Sequence, residues 1–477
     1  MEFQLNPYEK HPEKVKYLAA RVRKNAKLFA FTEQFMMAAK AGSHVLENEY
    51  NRITNLYAYR KAESPEPLIS IQDIFIKYWD DYKEYCAKKN IAIRKAVIEN
   101  VERMMKCKDF AYGYLFYECP NCDNFTIQGF SCNSRFCSRC GQKYRKQRTL
   151  EIEKLLLSVP HRQFVFSIAE ELRYFFLQYR FLLNLLFQSV EYAFDYLLHG
   201  NKKSKIHKRK ISLVEGRDFA YVSFIHTFGR DLKFNPHIHC LVAEGYVDNK
   251  NIFHKYEHFN YETLRKAFMY DLLSKMYHWL KVNATKKDFK EFCSIKYQLI
   301  EHYKDGFYCY GPRLQNSGDN KMRTKAIANY IARYVSHPAI AESRIISLND
   351  VKNTITYYYD PHEDDNIEEE INKLGRQYVT EDVFEFISKL IQHIPDKGFH
   401  QIRYYGFYSN RTTKKCDNVE PLYWLNHYKE GKANLKWNKS LKLSYNYDPL
   451  VCYCGYHMHV NYDLSFFPGT TEEYQDG

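Results

Sequence analysis

The sequence predicts an α+β fold, and three observations carry that prediction. Apolar runs at 162–168, 219–228 and 233–247 have the length and residue types of strands. Helical stretches lie among them, at 171–199 and through the Lys- and Tyr-rich segment 250–300. Hairpin-like and crossover connections both occur, the mixture that an α+β domain requires.

The chain of 477 residues is too long for one core and calls for two or three domains. Hydrophobic residues at 45% and aromatics at 17% supply ample core, so wholesale disorder is excluded. Lys and Arg outnumber Asp and Glu by 70 to 57, a net charge of +13 that suits a polyanion partner. The aromatic richness suits unpaired bases, which stack on flat rings. Thirteen cysteines, many at metal-ligand spacing, fit a reducing compartment better than a disulfide framework. The N-terminus lacks the pattern of a signal peptide. The most apolar helix, near 173–199, is interrupted by Gln178, Arg180, Asn184, Gln188 and Glu191. A soluble intracellular protein is the expectation, with no membrane span.

In order along the chain, residues 1–70 form a basic, helical accessory region with an apolar stripe from Leu28 to Met37, and Pro65 and Pro67 mark a break. Residues 71–150 join helices to a cysteine cluster, 151–410 hold the α+β region, and 411–477 form a C-terminal region. The cluster contains Cys119-Pro-Asn-Cys122 and Cys137-Ser-Arg-Cys140, two knuckles fourteen residues apart, which is the spacing of a zinc ribbon or treble clef. Four thiolates satisfy tetrahedral Zn²⁺ and can staple a lobe with little core of its own. Cys132 is a fifth candidate: it either replaces one of the four or joins Cys107 in a second site. Free buried cysteines are the bland alternative.

The tail of the cluster is cationic: Arg135, Arg139, Lys143, Arg145, Lys146 and Arg148 crowd into fourteen residues. A solvated helix face would explain them; beside a zinc knuckle in a basic chain, contact with DNA phosphate explains them better. A second basic run at 202–210 reads equally as a DNA-touching loop or a solubilising insertion, and the acidic stretch 363–370 as a solvated loop.

The strand 233–247 contains Pro236-His237-Ile238-His239. Residues two apart in a strand share a face, so His237 and His239 project together. Such a pair can hold a divalent metal or can be hydrogen-bonded core histidines. A helix over 324–337, closed before Pro338, places Tyr330 and Tyr334 at i and i+4 on one face. That pair suits either core packing or nucleophilic work, which a phenol does only with help at neutral pH.

The ordered set decides between these readings. His226-Thr-Phe-Gly-Arg-Asp-Leu-Lys-Phe-Asn-Pro-His-Ile-His-Cys-Leu-Val, then Tyr330-Ile-Ala-Arg-Tyr334 and Ala339-Ile-Ala-Glu-Ser-Arg344, then Phe384-Glu-Phe-Ile and the stretch from His393 to Gly406, resembles the two-tyrosine rolling-circle transposases of bacterial insertion sequences. These belong to the endonuclease superfamily named for its His-hydrophobe-His motif. The resemblance spans about residues 100–410 and includes the upstream cysteines. It implies a central, mainly antiparallel sheet with packed helices, the tyrosine helix lying across the face that carries His237 and His239.

It further implies Tyr330 and Tyr334 as nucleophiles that form 5′-phosphotyrosine links with single-stranded DNA at transposon ends and in target DNA. Mg²⁺ or Mn²⁺ would be held by His237, His239 and a third ligand, either His226 or His337, with His393 less well placed. Arg333, between the tyrosines, is either a phosphate contact or a surface cation. Host helicase or replication factors would unwind the donor, in the cytoplasm near the nucleoid. Where the family tends to have a histidine between Cys107 and Cys119, this chain has Tyr114. Cys452-Tyr-Cys454 could make a small knuckle, though its spacing matches a ribbon poorly. His457-Met-His459 is read as a decoy, since it lies among turn-like residues with no tyrosine helix after it. The rivals are a replication initiator or relaxase with the same chemistry, and a non-catalytic zinc-finger DNA-binding protein. No Walker-type helicase motif is present.

Overall fold

A computed structural model describes residues 69–122, 124–200, 218–248, 250–256, 258–312, 327, 330, 339–360, 376–409, 416–422, 425–439, 448–452 and 454–467. Residues 1–68 of the basic accessory region, the runs 202–210 and 363–370, and the residues Arg333, Tyr334 and His337 lie outside them.

The described elements run α1 Ile71–Lys88, α2 Lys95–Met105, β1 Tyr114–Glu118, β2 Phe125–Gly129, α3 Ser138–Glu153 and β3 His161–Ser167. Next come α4 Arg173–Gln178, α5 Leu182–His199, β4 Asp218–Phe228, β5 Phe234–Val247 and β6 Phe253–Lys255. Then follow α6 Tyr261–Asn283, α7 Lys286–His302, β7 Cys309–Tyr310, β8 Ile345–Asn349, β9 Thr354–Tyr359 and β10 Gln377–Asp382. The last are α8 Val383–Ile391, β11 Ile402–Tyr405, α9 Leu425–Asn434 and β12 His459–Phe466. The fold is α+β with antiparallel sheets, as predicted. Among the described residues no helix is long and apolar enough to cross a membrane.

The chain forms two compact units: 1–143, 341–348 and 433–477 make the first, and 144–340 with 349–432 the second. In the first unit, Ser70 caps α1 by accepting the Asp73 amide. The helix buries Ile74, Phe75, Tyr78, Trp79 and Tyr82, spaced as one helical face. Glu342 accepts both the Ile71 amide at 3.0 Å and the Ser138 hydroxyl at 2.8 Å, so one carboxylate fixes the starts of α1 and α3. Its three-stranded sheet has the order β12-β1-β2. The C-terminal stretch is therefore not a region of its own: β12 pairs antiparallel with β1, some 350 residues earlier, with Tyr114 opposite Phe466 and Glu118 opposite His459.

The second unit is built on an antiparallel sheet ordered β11-β4-β5-β3-β7, with β6 on β5. Strand β5 is apolar on both faces because both are covered. Ile238, Cys240 and Val242 pack with Phe164, Phe166 and the buried faces of α4, α5, α6 and α7. Leu241 and Ala243, on the other face, pack with Val222, Phe224, Ile152, Tyr408, Ile327 and Tyr330. The helix expected over 171–199 is broken at Tyr179–Phe181 into α4 and α5. On the first face Arg162, buried on β3, donates to Glu244 at 3.1 Å and to the Tyr261 hydroxyl at 2.9 Å, so its charge is paired inside the core.

His393 closes the same side of the sheet. Its Nε2–H donates to the Leu232 carbonyl, and its Nδ1 accepts from the Thr227 hydroxyl. Burial, reinforced by Arg180 nearby, pushes its pKa down to about 3. The folded value lies below the unfolded one, so this group's contribution is complete above about pH 6.5 and declines as pH falls from there towards 3. Acidification from pH 7 to 5 should cost the fold roughly 2 kcal/mol through this imidazole. Urea unfolding of wild type and H393Q across that range checks it: the variant should show the shallower pH slope, and parallel profiles would remove His393 as the cause.

Candidate metal centre and cysteine clusters

Three histidines converge because β4 and β5 form one hairpin. A turn at Gly229–Lys233 closes it: the Gly229 amide donates to the Lys233 carbonyl, and Leu232 takes a positive φ of 64°. This register sets His226 directly opposite His237, with His239 two residues further along the same face. Ring centroids lie 5.6 Å apart for His226–His237, 4.9 Å for His226–His239 and 4.8 Å for His237–His239. One nitrogen from each ring falls within 4.8 Å of the others. His226 and His239 are buried, and His237 is partly so.

The donor set fits a metal. The Asn235 carbonyl lies 2.8 Å from His237 Nδ1. A carbonyl only accepts, so the proton sits on Nδ1 and the Nε2 lone pair is left for a cation. Of the candidates for third ligand, the hairpin brings His226 to the pair. His393 is excluded by its two hydrogen bonds, and through Thr227 it belongs to the opposite face of β4. Tyr330 is helical, 5% exposed and packed on the histidine face, with its hydroxyl 3.3 Å from the Cys240 carbonyl.

The cysteines group differently from the expected ribbon. Cys107, Cys132, Cys137 and Cys140 form one cluster, with sulfurs 3.6 Å apart for Cys107–Cys140, Cys132–Cys140 and Cys107–Cys137. Cys119 and Cys122 are not with Cys137 and Cys140. They meet Cys452 and Cys454, at 3.4 Å for Cys119–Cys454 and for Cys122–Cys452. The reason is the hairpin β1–β2. Cys119 and Cys122 sit at its closed end, while Cys107 and Cys132 flank its open end. Strands of five residues hold those ends about 17 Å apart, too far for one ion. Helices fasten the first cluster: Gln72 donates to the Met105 and Cys107 carbonyls, and Arg103 to that of Cys132. Four sulfurs on a tetrahedral zinc, with Zn–S near 2.3 Å, would lie about 3.8 Å from one another, close to what the cluster shows.

Of the clustered cations, Arg139, Lys143 and Lys146 are exposed on α3, and Arg135 and Arg145 are partly buried. Arg148 is already engaged, with the Glu151 carboxylate and the Tyr144 hydroxyl.

A strand hairpin presenting three imidazoles that could hold a metal, in a basic chain with two cysteine clusters, defines a class of protein suited to metal and to DNA. Residues 220–416 match a family model described as "Putative transposase", and residues 74–168 match one for a "Transposase zinc-binding domain". Together these spans take in more than half of the chain, and the chain belongs to this transposase family, with the zinc-binding match ahead of the transposase match. It is 26% identical over 325 residues to the transposase for insertion sequence element IS801 of Pseudomonas savastanoi pv. phaseolicola, covering 67% of this chain and 72% of that protein. It is 23% identical over 360 residues to "Putative transposase y4qJ" of Sinorhizobium fredii, covering 72% and 80% respectively. No solved structure matches it significantly.

Proposed function

We propose that this transposase cuts and rejoins single-stranded DNA at the ends of its element by tyrosine attack on phosphorus, with rolling-circle-type strand transfer. The observation that carries the reading is the placement of Tyr330 on the sheet face that bears His226, His237 and His239. Those histidines would hold Mn²⁺ or Mg²⁺; three imidazoles are a softer set than Mg²⁺ ordinarily takes, which favours Mn²⁺. Such an ion polarises a phosphoryl oxygen and offsets the charge that develops on it.

Tyr330 and Tyr334 supply the nucleophiles. The phenol oxygen forms a bond to phosphorus as the P–O3′ bond breaks. The 5′-phosphate stays on the tyrosine, and the released 3′ oxygen takes up a proton. The phosphodiester energy is kept, so a 3′-hydroxyl can reverse the step at another site without ATP, and two tyrosines allow two linked transfers. The Tyr330 hydroxyl must leave the Cys240 carbonyl before it attacks. Arg139, Lys143 and Lys146, with Arg135 and Arg145, position the strand through phosphate, and Arg333 does so between the tyrosines. The Cys107, Cys132, Cys137 and Cys140 cluster holds a structural zinc. A host helicase supplies the single strand.

Labelled single-stranded DNA from the element's ends, incubated with Mn²⁺, should give a protein–DNA adduct that survives denaturant. Y330F and Y334F should each change the products, and the double variant should give no adduct. An adduct in the double variant, or an undiminished one after metal chelation, would overturn the reading.

A further inference from the structure

The zinc-binding domain matched over 74–168 contains all of the first cluster but only half of the second. Cys452 and Cys454 lie beyond both matched spans. We propose that Cys119, Cys122, Cys452 and Cys454 bind a second structural zinc ion, which staples the C-terminal segment onto the zinc-binding lobe.

The four sulfurs all lie within 4.8 Å of one another. Cys119–Cys454 and Cys122–Cys452 are 3.4 Å apart and Cys122–Cys454 is 3.7 Å. A shared Zn²⁺ calls for about 3.8 Å, and a disulfide for about 2.05 Å. Each pair comes from a tight turn. The Cys119 amide donates to the Asn124 carbonyl at 2.9 Å. On the other side the Cys452 amide donates to the Tyr456 carbonyl and the Gly455 amide to the Cys452 carbonyl, both at 2.8 Å. Gly455 makes that turn with φ +90°, a conformation side chains resist. Donors also face the sulfurs: the buried Asn124 amide reaches Cys452 Sγ at 3.2 Å, and the Asn121 N–H reaches Cys119 Sγ at 3.4 Å. N–H groups aimed at sulfur stabilise thiolate, the form that binds metal.

The sheet explains why such distant residues meet. Cys119 follows β1 directly, and β12 begins five residues after Cys454. The antiparallel pairing of Glu118 with His459 brings both turns to the same end of the ladder. An all-sulfur set of four favours zinc among the common divalent ions.

Elemental analysis of the purified full-length protein should find two zinc ions per chain, and C452S/C454S should retain one. Loss of the staple should also raise amide exchange in β1, the partner of β12. A measurement on the wild type covers the case of a variant that does not fold. With zinc bound, Cys119, Cys122, Cys452 and Cys454 should resist alkylation, and chelation should expose them. One zinc in the wild type, two in C452S/C454S, or alkylation of these four unaffected by chelation would each overturn the proposal. None of these readings depends on strand cleavage, so failure here is separable from failure of the tyrosine chemistry.

Discussion

Replacing His237 and His239 together by alanine is expected to lower strand cleavage by about a thousandfold or more. A polarising metal contributes several kcal/mol at a phosphoryl centre, and each 1.36 kcal/mol is tenfold in rate. With both gone, His226 alone remains of the three imidazoles that the β4–β5 hairpin assembles. DNA binding should change little, because the exposed cations of α3 belong to another element. Cleavage and filter-binding assays on the same preparation separate the two. Equal loss of both activities would make the histidines structural and remove the metal centre.

Converting Cys107 and Cys137 to serine is expected to release one zinc and unfold the lobe around it. Zinc held by four thiolates contributes about 10–16 kcal/mol to folding in small modules, as much as the whole stability of an ordinary domain. The cluster joins the end of α2 to the start of α3, so its loss should free both and abolish the ordered presentation of Arg139 and Lys143. Zinc content, near-UV circular dichroism and DNA affinity should fall together. Retained zinc with native dichroism would sink the assignment. Tyr330 and the three histidines lie in the other unit, so that unit should stay folded while DNA capture falls.

The histidine geometry was largely legible in the sequence because it follows from strand arithmetic. His237 and His239 share a face by period two. His226 was not fixed by the same arithmetic: with Phe228 opposite Phe234 a regular ladder would set 226 across from Pro236, and only the bulge between these pairs brings it opposite His237. The cysteines were legible as ligands but not as sets. A Cys-x-x-Cys spacing reports that two thiolates can share an ion; it does not report which second pair completes the shell. Treating the turn at 119–124 as the tip of a hairpin would have parted Cys122 from Cys137 by the length of a strand. Cys452-Tyr-Cys454 was legible only as a small knuckle of its own, because the cysteines it meets are brought to it by a pairing across more than 300 residues. Helix boundaries failed where tertiary packing intervened, as at the break between α4 and α5.

The pairing of β1 with β12 also sets a timetable for biosynthesis. A ribosome adding roughly 5–20 residues per second needs about 20–70 s to travel from one strand to the other. Over that interval every strand of the second unit's sheet emerges, through β11 at Tyr405, while β1 has only β2 beside it. The nascent protein thus has the means to complete its nuclease sheet first, and carries an open β edge until the last strand arrives. Such an edge invites mispairing and chaperone capture. Chains that stop short of β12 would keep β1 itself as that edge.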